Sequence, residues 1–364
     1  MTLQTRPADV RAVPSTGTRL PGLDALRGLA IALVMLTHAH SERFGSGGMI
    51  GVTLFFVLSG FLITGLLTRD LERFGRVRWG RFYGSRALRL IPPLVLVLAA
   101  YAVVEGVIGL RGGPSMLGLT IAAALTYTSN LPLIPHGSGS FFHLWTLATE
   151  EQFYLVWPVV LAVAWRRGRT RLAVGAGVVG SLALCLLSIG YEWPDTARVY
   201  ALPTSWSIAL FLGCGLRLGL DRARRVLPGS TSARRILAGG IVLVFLTVTA
   251  TPGISGSPWM YLVAIPAVAV ASGVLILLAM EWRRPPRVLV ALGTVSYAAY
   301  LWNLPIQQWL GDPMTLGGGL LGAALTLAAA TASWWLVERP VAALRRRWQS
   351  GQTAPIDREA APTG

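Results

Sequence analysis

The chain has 364 residues, 53% of them hydrophobic and only 13% charged, with a mean hydropathy of +0.58. That composition excludes an ordinary soluble domain and requires lipid as solvent. The formal charge of +16 sits in short clusters between apolar stretches instead of along one basic face, so the cations read as orientation signals and a nucleic-acid partner is excluded. Residues 1–20 are polar, with no apolar core or small-residue cleavage site, so the first span is expected to stay as an anchor behind a cytoplasmic N-terminal tail. Residues 21–340 form the membrane domain, and residues 341–364 a basic and then polar cytoplasmic tail.

Several apolar stretches approach the roughly 20 residues that a helix needs to cross a bilayer. In chain order the spans fall near residues 23–40, 48–68, 90–110, 143–165, 172–190, 200–218, 236–252, 259–280, 288–310 and 316–337. An eleventh segment, 117–131, is weak: it carries Thr126, Tyr127, Thr128, Ser129 and Asn130 before Pro132. If it crossed, Arg166, Arg167, Arg169 and Arg171 would fall outside, against the positive-inside rule, so it is assigned as re-entrant or interfacial. Both termini are then cytoplasmic. Arg27 lies at the inner boundary, Arg43, Arg111 and Arg198 lie outside, and every other Arg falls on the cytoplasmic side. The fold class is therefore all-α, a polytopic membrane helical bundle of about ten transmembrane helices. Pro158, Pro266 and Pro305 are expected to kink their spans, and Gly317 to Gly319 to allow close helix packing. Cys185 and Cys214 sit in apolar runs and read as buried small hydrophobes.

Charge inside a bilayer is costly, so ionisable residues in the spans are where function is sought. Arg27 and His38 stand eleven residues apart on the first helix, about three turns, which puts them on one face roughly 16 Å apart. His40 points elsewhere, and Asp24, after Pro21 and Gly22, reads as an N-cap. Spacing alone suits either a catalytic imidazole or a His hydrogen-bonded among packed helices. Between the second and third spans, RVRWGRFYGSRALRLIPP is amphipathic if helical. Arg86 and Arg89, at i and i+3, could converge two guanidinium forks on one polyanion or snorkel to anionic lipid. The stretch HLWTLATEEQFYLVWP, 143–158, places Glu150 and Glu151 in the outer half of a span, and successive helical positions diverge by about 100°, so one of them at most faces a given partner. There is no metal-ligand spacing, P-loop or nucleophile-elbow motif.

Together these stretches resemble the acyltransferase 3 family of multi-pass membrane acyltransferases, which modify O-antigen and other glycans, nodulation factors and macrolides. The resemblance spans about residues 20–340 and rests on six motifs in order: LDALRGLAIALVMLTHAH with Arg27 and His38, FFVLSGFLI at 55–63, Arg86 and Arg89, LWTLATEEQFYL at 144–155, VSYAAYLWNLPI at 295–306, and VERP at 337–340. It implies transfer of an acyl group from cytoplasmic acyl-CoA, with His38 catalytic and Arg27, Arg86 and Arg89 assisting the donor. Many members carry His where this chain has Asn303, so no imidazole role is carried over there.

The resulting expectation is an integral membrane O-acyltransferase, moving acetyl from acyl-CoA to a hydroxyl of a carbohydrate, glycolipid or macrolide-type acceptor without a metal. His38 acts as general base, and Glu150 orients the imidazole or stabilises its charged form while Glu151 points away. The alternative is a transporter or flippase for a glycolipid, which would predict internal repeats and broken helices around a midplane site.

Overall fold

The computed structural model describes residues 20–109, 116–131, 139–254, 256–311 and 315–351. The first nineteen residues of the N-terminal tail, the C-terminal tail from 352, Arg111 and Pro132 lie outside the described residues. The described chain is built of helices: α1 (Pro21–Ala39), α2 (Ser41–Phe44), α3 (Gly47–Phe74), α4 (Trp79–Val103), α5 (Leu117–Leu125), α6 (Trp145–Arg166), α7 (Thr170–Glu192), α8 (Pro203–Leu218), α9 (Leu220–Val226), α10 (Thr231–Thr249), α11 (Ile265–Met280), α12 (Arg287–Thr294), α13 (Ser296–Trp309), α14 (Leu316–Ser333) and α15 (Arg339–Gly351).

Among the described residues, eight helices are long and apolar enough to span a bilayer, and a ninth span results if α12 and α13, bent by 73° at their junction, count as one. Helix α6, with 22 residues, is long enough to be the tenth, but Glu150 and Glu151 dilute its apolarity. Large apolar side chains such as Leu155, Leu187, Leu243 and Leu336 lie exposed along the helix flanks, where water would penalise them and lipid accepts them. The chain is thus a multi-pass membrane bundle. Helix α5, with nine residues, is only about 14 Å long and too short to cross, which fits the re-entrant or interfacial reading of 117–131.

Several local expectations are corrected. Asp24 is not the N-cap of α1: Pro21, whose fixed φ suits the first helical position, starts the helix earlier, with Leu20 as N-cap and Asp24 in the first turn. The basic segment between the second and third spans is helical from Trp79 onward and runs unbroken into the span as α4, with Pro92 and Pro93 inside the helix. The sharp bend in the ninth span lies at Val295, ahead of Pro305, which is accommodated within α13. Pro266 opens α11 directly after a π-turn at Met260–Ala264, a widened turn that removes the clash with the preceding carbonyl.

Helix α1 is the hub, packing on α3, α11, α12, α13 and α14. It approaches α12 so closely that a Cβ on Gly28 would strike the Leu289 carbonyl and one on Gly293 the Asp24 carbonyl. At its far end Gly319 of α14 lies against the Ala39 carbonyl with no room for a Cβ, the close packing expected of the glycine run. Cys185 and Cys214 are buried free thiols.

Candidate functional site

A cavity of about 340 Å³ opens among α1, α3, α4, α6, α13 and α15. Four of the five residues singled out in the sequence line it: Arg27, Arg86, Arg89 and Glu150. They arrive from three helices, and α13 joins them through Ser296, which accepts a 3.1 Å hydrogen bond from Arg27 Nη2.

The two arginines of α4 are not equivalent. Arg86 is engaged: its Nε and Nη2 donate to the two carboxylate oxygens of Glu151, and its guanidinium lies 3.5 Å above the Tyr154 ring. Glu151 therefore does not point idly away; it is the counter-ion that fixes Arg86. Arg89, three residues on, is exposed at the cavity and forms no ion pair with a described residue, so its fork is available to a ligand.

Glu150 accepts hydrogen bonds from the hydroxyls of Ser59 and Tyr154, the latter at 2.5 Å. It does not meet His38. Tyr154, at i+4 on α6, lies where helical spacing puts a neighbour of Glu150, whereas Ser59 comes from α3 and no spacing on α6 identifies it.

His38 lies outside the cavity lining. Its Nδ1 is 2.5 Å from Oδ1 of Asn303, a residue with no exposed surface. The direction of this bond follows from the next link. Thr326 donates its hydroxyl proton to the Gly322 carbonyl at 2.7 Å, so its oxygen is left to accept from Asn303 Nδ2 at 3.4 Å. Asn303 Oδ1 then faces the imidazole, and an amide oxygen can only accept, so the proton sits on His38 Nδ1 and the Nε2 lone pair is free. Arg27 with Ser296 and His38 with Asn303 thus tie α1 to α13 at two levels, in the same order along both helices, so the two run parallel.

The inner wall of the cavity includes Tyr300 and Thr146, joined hydroxyl to hydroxyl at 2.5 Å, with Tyr300 donating to the His143 carbonyl at 2.7 Å. The His143 ring packs 5.0 Å from that of Tyr300 and lies within electrostatic reach of His38. It is 4% exposed, and neither ring nitrogen has a hydrogen-bond partner among the described residues. His143, Asn303 and Tyr300 are the site residues that sequence reasoning did not assign. All three stood in quoted motifs, and an imidazole seven residues before Glu150 was the available signal for His143.

The acyltransferase 3 family model, described as an acyltransferase domain, matches residues 20–339. The chain is 30% identical over 359 residues to the peptidoglycan O-acetyltransferase OatA of Listeria monocytogenes, covering 88% of this chain and 56% of that protein. It is 28% identical over 356 residues to the O-acetyltransferase OatA of Staphylococcus aureus, covering 88% and 57%. The chain thus spans little more than half the length of these relatives. No solved structure matches.

Proposed function

Because the chain belongs to the acyltransferase 3 family, we propose that it is a membrane O-acyltransferase that moves an acetyl group from acetyl-CoA to a hydroxyl of a glycan or similar acceptor, with His38 as general base. The observation that carries this reading is the chain from Thr326 through Asn303 to His38, which holds the proton on Nδ1 and leaves Nε2 as acceptor. In the transfer step the acceptor hydroxyl gives its proton to Nε2 while its oxygen attacks the thioester carbonyl. The tetrahedral adduct collapses to the ester and the CoA thiolate, and the imidazolium returns the proton to sulfur. Asn303 Oδ1 accepts from Nδ1 in both states, and more strongly when the ring is charged.

The donor reading rests on the arginine-lined cavity. CoA enters from the cytoplasmic side, where both termini also lie, with its phosphates beside Arg27 and Arg89 and its pantetheine arm directed along α1. About 16 Å separates Arg27 from His38 along the helix, a distance the arm can span without the nucleotide leaving the mouth. Tyr300 and Thr146 line the cavity and His38 does not, so side chains of the cavity wall must move for the thioester to reach the imidazole.

The names of the relatives direct the first choice of acceptor to peptidoglycan. Purified protein in nanodiscs, given acetyl-CoA labelled in the acetyl group and soluble peptidoglycan fragments, should release CoA thiol and pass label to the glycan as a base-labile ester. Thiol release without ester formation on peptidoglycan, O-antigen or macrolide acceptors would refute the transfer reading.

A further inference from the structure

Helix α15 lies beyond the region matched by the family model, which ends at residue 339, yet it packs across the start of α4 and sends Arg345 into the cavity. Trp348 seats the helix: its ring covers Gly84 so closely that a Cβ there would collide with it. One turn earlier, Arg345 reaches Ser85, the residue before Arg86, with a 3.4 Å bond from Nη1 to the backbone carbonyl. Its Nε is buried without a hydrogen-bond partner among the described residues, and Arg345 lies within electrostatic reach of Arg89.

Two guanidinium groups held near each other without an acid between them repel, and a buried donor without a partner is costly. Arg86 has its own acid in Glu151, but Arg89 and Arg345 have no ion-pair partner among the described residues. The acids nearby are spoken for or too few. Glu150 is held by Ser59 and Tyr154 and Glu151 by Arg86, Asp24 lies within reach of Arg27, and Glu338, one of its oxygens buried and unbonded, lies within reach of both Arg27 and Arg89. A phosphate bound between Arg89 and Arg345 would relieve the repulsion and satisfy the buried Nε at once.

We propose that α15 is part of the donor site, with Arg345 and Arg89 gripping the phosphates of CoA from two sides. This deepens the acyl-CoA reading above and rests on it for the identity of the anion. A lipid phosphate offers the same chemistry. The geometry favours CoA because Arg345 faces the cavity, while Arg346 on the same helix is exposed and lies outside the cavity lining.

The test is equilibrium binding of CoA to the full-length protein in phosphatidylcholine nanodiscs, with and without added phosphatidylglycerol. Arg345→Gln should weaken CoA binding about tenfold at low salt, the loss of one charged hydrogen-bonding group, and the gap should narrow as salt is raised. Arg345→Lys, which keeps the charge and loses the fork, should fall between, and Arg346→Gln should stay within about twofold of the wild type. The melting temperature of each variant separates loss of the site from loss of the fold, and if Arg345→Gln does not fold, Arg345→Lys carries the comparison. Unchanged CoA affinity in the Arg345 variants, or a wild type that does not bind CoA, would overturn the proposal. A loss confined to phosphatidylglycerol binding would assign Arg345 to lipid and overturn it too. Wild-type protein that binds CoA through Arg345 yet transfers no acyl group would leave this site standing and refute the transferase reading.

Discussion

Nδ1 of His38 and Oδ1 of Asn303 are 2.5 Å apart, although 265 residues separate them in the chain. The amide oxygen cannot give up a proton, so it selects one imidazole tautomer and holds the ring plane. Replacing Asn303 with Leu, close in volume, should lower kcat by roughly 10- to 100-fold, the usual range for a partner that orients a functional imidazole, while CoA affinity stays unchanged. Asn303→His, the residue many family members carry, should retain more activity than Leu. Full turnover in Asn303→Leu would remove the orienting role.

Arg86 and Glu151 make a largely buried ion pair, with side-chain exposures of 19% and 16%. Breaking such a pair leaves an uncompensated charge, at a cost of about 3–5 kcal/mol, whereas replacing both partners with apolar residues is far milder. Glu151→Gln should therefore lower the melting temperature in detergent more than the Arg86→Met, Glu151→Met double variant does. Thermal unfolding followed by tryptophan fluorescence decides it: a Glu151→Gln protein as stable as wild type would show that the pair carries no structural weight.

The seam between α1 and α12 has a sharp steric signature. Gly28 and Gly293 each face a backbone carbonyl of the other helix, which cannot swing aside as a side chain would. Gly28→Ala and Gly293→Ala should each reduce the yield of monodisperse protein. Gly118→Ala, in the open and within a helix, should be neutral or stabilising by about 0.5–1 kcal/mol. Equal yields of all three variants on size-exclusion chromatography would contradict the packing.

Topology can be read with cysteines introduced after Cys185 and Cys214 are replaced by Ala. Gly168 and Gly229, in the arginine-rich connections, should be shielded from an impermeant maleimide in whole cells, while Pro194 and Gly256 should label. The reverse pattern at Gly168 and Pro194 would invert the bundle and put the arginine mouth of the cavity on the outside.

Two arrangements that depend on a single helix were legible in the sequence. Arg27 and His38 on one face of α1, and the reluctance of 117–131 to cross, follow from a fixed rise and from the cost of charge in lipid, and the structure reproduces both arrangements. Contacts between distant helices were not legible. The expectation that Glu150 meets the imidazole drew on a shared depth in the membrane, but depth does not fix azimuth, and Ser59 and Tyr154 take the carboxylate first. Asn303 was noted only as a departure from the family's His, because nothing in a linear motif says which helix it faces. Arg345 fell in the stretch assigned to the basic cytoplasmic tail, and what turns it toward the cavity is a contact between distant helices, the seating of Trp348 on Gly84.

We propose that the free Nε2 of His38 takes the acceptor proton. The most direct measurement is acetyl transfer by purified His38→Ala in nanodiscs, normalised to folded protein, alongside CoA binding by the same preparation. Transfer should be lost, by at least the 10²- to 10⁴-fold that a general base contributes, while CoA binding and melting temperature stay close to wild type, because His38 lies outside the lining of the arginine-lined cavity. A His38→Ala protein that binds CoA normally and transfers acetyl at a near-normal rate would contradict it.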